Sequence, residues 1–475
     1  MNWLDILPEI IIAATAAIII IVDLISRRPM LSTVLAISGI AASMVVACTS
    51  TVKLQPLFDG MLFIDGWSKM IRVLLLIVAA GVVIASTDYQ LKLKSLWAEY
   101  HALVLFALLG MMIMAMASNL ISAFVAIEIT TISFFILVGL LKNPSSSEAA
   151  LKMMLTGAIA SAVMLYGMAF IFGSTGSTGF SDIALHSNPD FSSGLLLGIL
   201  LLMVGLFFEA GAVPFHMWIP DTYEGAPTPV TMYLSAGSKV AGIAIIARIF
   251  SMAFTHPQQL GADWGIIVAV ISAITMTLGN ILALQQNNIK RLLAYSGIVH
   301  TGYMLIGIAT IGLGSQISGD EKLFFYLVAF ALAEIAVFSA VIVITRQVGS
   351  DNIESFTGLA RRSPVMFATL SIGLFSLMGL PLTAGFMAKL FIFTSAINNG
   401  LLWLVIIAVI NTVISAYYYL KVVRIMWLGK PSDDSSINLP KAPVMVSSLS
   451  GLGLLLLGIA PYLLLKLTEN ILIIP

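Results

Sequence analysis

Four ionisable residues, Glu128, Glu209, Lys239 and Lys389, each stand inside an apolar stretch long enough to cross a bilayer. Even on the lenient insertion scale, a charge at the bilayer centre costs about 2.5–3.5 kcal/mol. Such groups therefore face the bundle interior or water and mark ion pathways. Desolvation favours the neutral form of carboxylates and amines alike, so both can exchange protons at such depth. Two more titratable residues join them. His300 sits in a small-residue helix, where an imidazole suits proton relay and equally suits packing. Glu334 sits mid-span in Phe330-Ala331-Leu332-Ala333-Glu334, either as an extra proton site or as a structural partner for a basic residue. The bland alternatives stay open for the others. Glu128 could anchor helices by accepting from Thr130 or a neighbouring span, and the lysines could be structural ion-pair partners. The chain reads first as an ion conductor.

With 475 residues, 59% of them hydrophobic and 10% charged, and a mean hydropathy of +1.04, the chain has too little polar surface to cover a soluble globule. It is expected to be an all-α polytopic membrane protein. The 23 basic and 23 acidic residues balance, so no cationic face is available for nucleic acid. Cys48 is the single cysteine, and His101, His186, His216, His256 and His300 lack the spacings of a metal or haem site. No cofactor and no metal is expected in this chain.

The elements that must position these groups follow from counting about 20 apolar residues per crossing. Fourteen transmembrane helices are predicted, centred near residues 17, 40, 79, 109, 131, 161, 203, 241, 274, 302, 334, 381, 411 and 455. The first is read as a retained span, because its flanks lack the basic region and cleavage site of a signal peptide. With the N-terminus outside, Arg27, Arg28, Lys92, Lys94, Lys142, Lys152, Lys290, Arg291, Arg346, Arg361, Arg362, Lys421, Arg424, Lys430 and Lys441 fall in inner loops. Lys53, Lys69, Arg72, Arg248, Lys322 and Lys466 fall outside. The positive-inside rule then puts both termini on the outer side.

Proline removes a donor and clashes with the preceding turn, so Gly211-Ala212-Val213-Pro214-Phe215-His216 and Gly379-Leu380-Pro381-Leu382-Thr383-Ala384-Gly385 predict two discontinuous helices. Irregular backbone at membrane depth is tolerated only against protein or a wet cavity. Glu224-Gly225-Ala226-Pro227-Thr228-Pro229 reads as a loop joining two spans. Gly205-Leu206-Phe207 with Gly211 and Pro214 recurs as Gly373-Leu374-Phe375 with Gly379 and Pro381. Asn119-Leu120-Ile121 and Asn288-Ile289-Lys290 repeat at nearly the same offset. Five spans separate equivalent points, and an odd number inverts the second copy. Two segments receive bland readings. Gly173-Ser174-Thr175-Gly176-Ser177-Thr178-Gly179 lacks the Gly-Lys-Ser/Thr ending of a phosphate loop and is expected to be a flexible loop. Tyr417-Tyr418-Tyr419 with Lys421 and Arg424 is expected to anchor a helix end at the interface.

The run Pro214-Phe215-His216-Met217-Trp218-Ile219-Pro220-Asp221-Thr222-Tyr223-Glu224-Gly225-Ala226-Pro227-Thr228-Pro229-Val230, continuing to Ser238-Lys239, closely resembles the antiporter-like subunit N of respiratory complex I and its archaeal relatives. Ala126-Ile127-Glu128, Asn287-Asn288-Ile289-Lys290-Arg291-Leu292-Leu293-Ala294-Tyr295-Ser296, His300-Thr301-Gly302-Tyr303 and Gly385-Phe386-Met387-Ala388-Lys389 add to it. The resemblance implies a pump module with two inverted five-helix repeats. Residues 1–99 would hold spans one to three, 100–257 the first repeat, 258–430 the second, and 431–475 span fourteen. It also implies proton translocation driven by redox chemistry elsewhere, with Glu128, Lys239, His300 and Lys389 on the relay. Flavin and iron-sulfur clusters would lie in partner subunits, and neighbouring antiporter-like subunits would complete the membrane arm.

One position departs from the pattern. Glu209 stands where most such subunits carry a lysine that pairs with the span-five carboxylate, so two carboxylates would meet, and a proton would be held between Glu128 and Glu209 or Lys239 would neutralise one of them. The expected function is a non-redox, proton-translocating subunit of a complex I-like pump in a prokaryotic plasma membrane. Its class would be NADH:quinone or the archaeal reduced-deazaflavin type. The rival is a stand-alone cation/proton antiporter subunit.

Overall fold

The computed structural model describes residues 3–26, 28–50, 56–89, 96–186, 193–255, 258–314, 318–429 and 439–468. Arg27, Lys53, Lys92, Lys94, His256 and Lys430 lie outside the described residues, as do both ends of the chain. The described backbone is helical, with only isolated β-bridges between extended residues. The long helices are α1 (Leu7–Ser26), α2 (Pro29–Thr49), α3 (Gly66–Ser86), α4 (Trp97–Met116), α5 (Leu120–Val138), α6 (Pro144–Thr175) and α7 (Ser193–Ala210). They continue as α8 (Thr228–Ala253), α9 (Gln258–Ala283), α10 (Ile289–Gly312), α11 (Ser318–Val348), α12a (Pro364–Met378), α12b (Ala384–Asn398), α13 (Leu402–Leu428) and α14 (Lys441–Ile459).

Thirteen of these are long and apolar enough to cross a membrane. The two shorter apolar helices α12a and α12b meet at the Pro381 break and make up the fourteenth crossing. Every span centre expected from the sequence falls within one of these crossings. The chain is an integral membrane protein. Burial separates an interior from a periphery: 100% of the most apolar window of α8 and 94% of those of α10 and α11 are buried, against 28% for α1. Charges on α8, α10 and α11 are therefore directed into protein.

Helix ends are set by side chains that occupy the free amides of the first turn. Asp65 with Ser68, and Asn143 with Ser146, form reciprocal caps at α3 and α6. Asn119 and Asn288 cap α5 and α10 in the same way as each other. The repeat extends further into the backbone. Leu120 N donates to Thr178 O and Phe180 N to Ser118 O; at the matching place, Ile289 N donates to Asp351 O and Ile353 N to Asn287 O.

The two breaks match as well. Gly211 N and Ala212 N both donate to Phe207 O, while Gly379 N and Leu380 N both donate to Phe375 O. Gly211 and Gly379 stand at φ +77° and +87°, which closes each helix in the left-handed region where a side chain would strain. Glu224–Pro229 is the expected connection, since the short helix Trp218–Gly225 ends there and α8 begins at Thr228.

Three expectations are corrected. Arg72 and Arg248 are not loop cations: both are fully buried in helices, Arg72 against Glu9 at 2.8 Å and Arg248 against Asp65 at 2.8 Å. Gly173–Gly179 is not a loose loop. Gly173–Thr175 form the last turn of α6, Gly176 closes it at φ +71°, and Thr178 bonds Asn119. Of the three consecutive tyrosines only Tyr417 is exposed, while Tyr418 and Tyr419 are buried in a polar cluster described below.

Candidate functional site: a buried row of titratable groups

The row begins on α5. Glu128, half-buried, accepts a short hydrogen bond from Ser161 Oγ of α6. Thr130 is not its donor, because that hydroxyl bonds Ala126 O in its own helix. Glu209, in the last turn of α7, lies within electrostatic reach of Glu128 and accepts from Ser238 Oγ at 2.8 Å. Both carboxylates are thus held by a serine on the next helix, and no cation stands between them among the described residues.

Lys239 follows Ser238 directly. A π-helical turn, Leu234–Ser238, precedes it within α8. Such bulges re-aim the side chains beyond them and recur at functional sites. Lys239 is 3% exposed, and its ammonium lies 5.9 Å from the Tyr223 ring centroid and makes no hydrogen bond of standard geometry among the described residues. The opposite charge that reaches it belongs to Glu334 of α11, itself fully buried.

His300 lies on α10 between the two lysines, and the fields of both reach it. Its Nδ1 pairs with Tyr326 Oη at 2.8 Å, and Phe330 stacks beside it at 5.2 Å. A cavity of about 10 Å³ adjoins the ring, lined by Tyr326, Phe330, Ser376, Gly385 and Ala388. That is the lower limit of the space a single water needs, in a lining that is mostly apolar apart from His300, Tyr326 and Ser376.

The row ends at the second break. Lys389 Nζ donates to Met378 O at 2.9 Å and to Leu377 O at 3.2 Å, the carbonyls that α12a leaves free. The ammonium also sits 4.6 Å from the Tyr303 ring centroid. A helix C-terminus carries partial negative charge, so the break itself solvates this amine. At the first break neutral donors take the equivalent places: Trp218 Nε1 bonds Phe208 O and Thr301 Oγ1 bonds Ala210 O. The structure thus places Glu128 and Glu209, Lys239 and Glu334, and His300 and both lysines within electrostatic reach of one another. It separates Lys389 from any carboxylate hydrogen bond among the described residues.

Two groupings were not legible from the sequence. Asn280 Nδ2 bonds Asn411 Oδ1 at 2.9 Å, Asn411 Nδ2 bonds Thr277 Oγ1 at 3.1 Å, Tyr418 donates to Asn280 Oδ1 at 3.0 Å, and Tyr419 pairs with Ser296. These side chains are uncharged, Asn411 lying at mid-span, and only the packing of α9 on α13 turns them into a network. The second grouping gathers the charges at the N-terminal ends of α6 and α10. Lys152 meets Asp221 and Glu148, Arg291 meets Asp221 and Glu224, and Lys290 meets Asp351. Lys152, counted from sequence among the inner-loop cations, lies within α6 as a half-exposed ion-pair member.

Fourteen crossings, two mirrored helix breaks and a buried row of carboxylates, amines and an imidazole define an antiporter-like membrane subunit. The family model described as "NADH:quinone oxidoreductase/Mrp antiporter, TM" matches residues 117–415, and the chain belongs to that family. It is 42% identical to the NADH-quinone oxidoreductase subunit N of Dehalococcoides mccartyi, with 98% of each chain covered. Among solved structures it superposes on a chain of respiratory complex I from Thermus thermophilus with a TM-score of 0.83 and 30% identity, covering 98% of this chain and all of that one. A chain of the archaeal membrane-bound sulfane sulfur reductase gives a TM-score of 0.88 at 25% identity, covering 98% and 97%.

Proposed function

We propose that this chain is the proton-translocating, antiporter-like subunit N of a complex I-like redox pump. One observation carries the reading. Groups able to hold a proton follow one another through the protein interior from Glu128 and Glu209, past Lys239 and His300, to Lys389 at the α12 break. The hydroxyls of Ser161 and Ser238 hold the two carboxylates, and a small cavity adjoins His300.

Moving one charge against 100 mV costs about 2.3 kcal/mol. A chain with no expected redox group takes that energy from partners: other antiporter-like subunits along the membrane arm, and a redox arm carrying flavin and iron-sulfur clusters. The bacterial relative at 42% identity supports the NADH:quinone type over the reduced-deazaflavin type. The pump would sit in a prokaryotic plasma membrane with both chain ends outward. Its repeats would run over residues 100–257 and 258–430, between an N-terminal unit (1–99) and a C-terminal span (431–475).

In the relay, a proton is held between Glu128 and Glu209, since the buried Glu209 ionises at a cost beside a second carboxylate. Lys239 passes charge toward His300 and its water space, and Lys389 discharges to the far side. Purification of the native assembly tests the whole reading. Co-purification with flavin and iron-sulfur subunits, and no sodium or proton flux by the isolated chain in vesicles, is expected. Autonomous sodium/proton exchange by the isolated chain would instead support the stand-alone antiporter.

A further inference from the structure

Three buried polar side chains from two helices lie within electrostatic reach of one another without hydrogen bonds of full geometry: Lys239 Nζ, both Glu334 carboxylate oxygens and Ser235 Oγ, the last being the hydroxyl beside Glu334. All are buried, with Glu334 and Ser235 at 0% exposure. α11, which carries Glu334, packs against the π-helical turn that carries Ser235 and ends at Lys239. Buried polar groups in folded proteins are ordinarily satisfied, and each orphan requires an explanation.

A structural ion pair would be expected to close on itself with short bonds, as Arg248 does on Asp65 and Arg72 does on Glu9. Lys239 and Glu334 feel each other's charge and yet stay open. Glu128 and Glu209 face each other and are served by Ser161 and Ser238.

We infer that Glu334 is the carboxylate that exchanges a proton with Lys239, so that the switching pair of this subunit is formed across the two repeats. The inference rests on the proton-relay reading above. The step conserves charge: one N–H bond of the Lys239 ammonium breaks, an O–H bond forms on the Glu334 carboxylate, and an ion pair becomes a neutral amine and acid. In a dry site the ionic and neutral forms of such a pair lie close in energy, because desolvation offsets the Coulomb attraction. A small change of field from a neighbouring subunit then decides which form is present. The neutral amine is free to take the next proton, and Tyr419, paired with Ser296, lies within electrostatic reach of Glu334.

The test uses the intact complex in sealed vesicles, with proton uptake and electron transfer measured separately. Glu334→Gln keeps shape and burial and removes the titrating group. It should leave the complex assembled and remove this subunit's share of the protons moved per electron, with transfer through this subunit slowed about tenfold or more, the scale of a lost acid–base group. Glu334→Asp should restore much of that ratio, which a packing role would not require. With Lys239→Met already present, Glu334→Gln should cause no further loss, because residues acting as a unit are non-additive. A full proton-to-electron ratio in Glu334→Gln alongside a collapsed one in Lys239→Met overturns the inference and leaves the relay intact. Full ratios in both variants overturn the relay itself. If Glu334→Gln does not assemble, Glu334→Asp decides: pumping that tracks assembly yield alone contradicts the inference.

Discussion

Gly297 of α10 and Lys239 of α8 touch so closely that a methyl group on Gly297 would lie 2.4 Å from the lysine Nζ. The glycine is there because the amine needs its space. In Gly297→Ala the flexible lysine end moves aside, and the alanine regains about 0.5–1 kcal/mol of helix propensity. Thermal stability should therefore stay near native. Proton pumping should fall about tenfold, equivalent to roughly 1.4 kcal/mol in a displaced relay group. Pumping at the native level in this variant would show that the amine position is not critical.

Glu209 is held by Ser238 on the helix that carries Lys239, and Gly242 of that helix would place a methyl group only 3.2 Å from Glu209 Cγ. Glutamine fits the same space and can still accept from the serine, yet cannot carry a proton. Glu209→Gln should lower protons moved per electron while electron transfer in the presence of an uncoupler stays near native. Unchanged stoichiometry would count against proton sharing between Glu128 and Glu209.

Lys389 draws its two carbonyl partners from the end of α12a. Removing the amine in Lys389→Met leaves those acceptors buried and unpaired, a cost of about 1–3 kcal/mol, so melting of the complex should shift downward as pumping is lost. Arginine brings a planar fork in place of a compact point charge. Lys389→Arg should therefore fail to restore pumping, and native pumping there would argue that only a fixed charge is needed.

Asp221 lies outside the membrane-spanning helices, between Lys152 Nζ and Arg291 Nη1, each at 2.7 Å. Partial burial raises its carboxyl, and the hydrogen bonds and charges of Lys152 and Arg291 outweigh that, holding it below the usual carboxylate range. A lowered folded pKa contributes stability that is complete above the unfolded value, about 3.9, and fades as pH falls through the folded one. Thermal melting should thus be flat from neutral pH to about 5 and drop below about 4. Asp221→Asn should melt lower at neutral pH with a shallower acid limb, and an unchanged acid limb would remove Asp221 from the account.

Much of this architecture is legible in the chain because membranes make exceptions expensive. A glutamate or lysine within twenty apolar residues, or a proline in mid-span, has few explanations, which is why Glu128, Lys239, Lys389 and both breaks stand out before any coordinates. Arg72 and Arg248 were misplaced for the converse reason: each lies near a helix end, where a loop cation is the cheaper reading. Their partners, Glu9 and Asp65, are 63 and 183 positions away in the chain. The Asn280–Asn411–Tyr418 cluster stayed invisible because nothing in its local sequence is costly. Glu334 was visible as a buried charge, and its facing Lys239 required the packing of α11 on the π-helical turn of α8.

The most direct measurement is the number of protons moved per electron by the intact complex in sealed vesicles, compared between the native chain and Lys239→Met. Lys239 is where the carboxylate pair, Glu334 and His300 converge, so the account predicts that electron transfer persists with uncoupler while proton movement assigned to this subunit disappears. A native ratio in Lys239→Met, with the complex fully assembled, would mean that protons do not pass along this row.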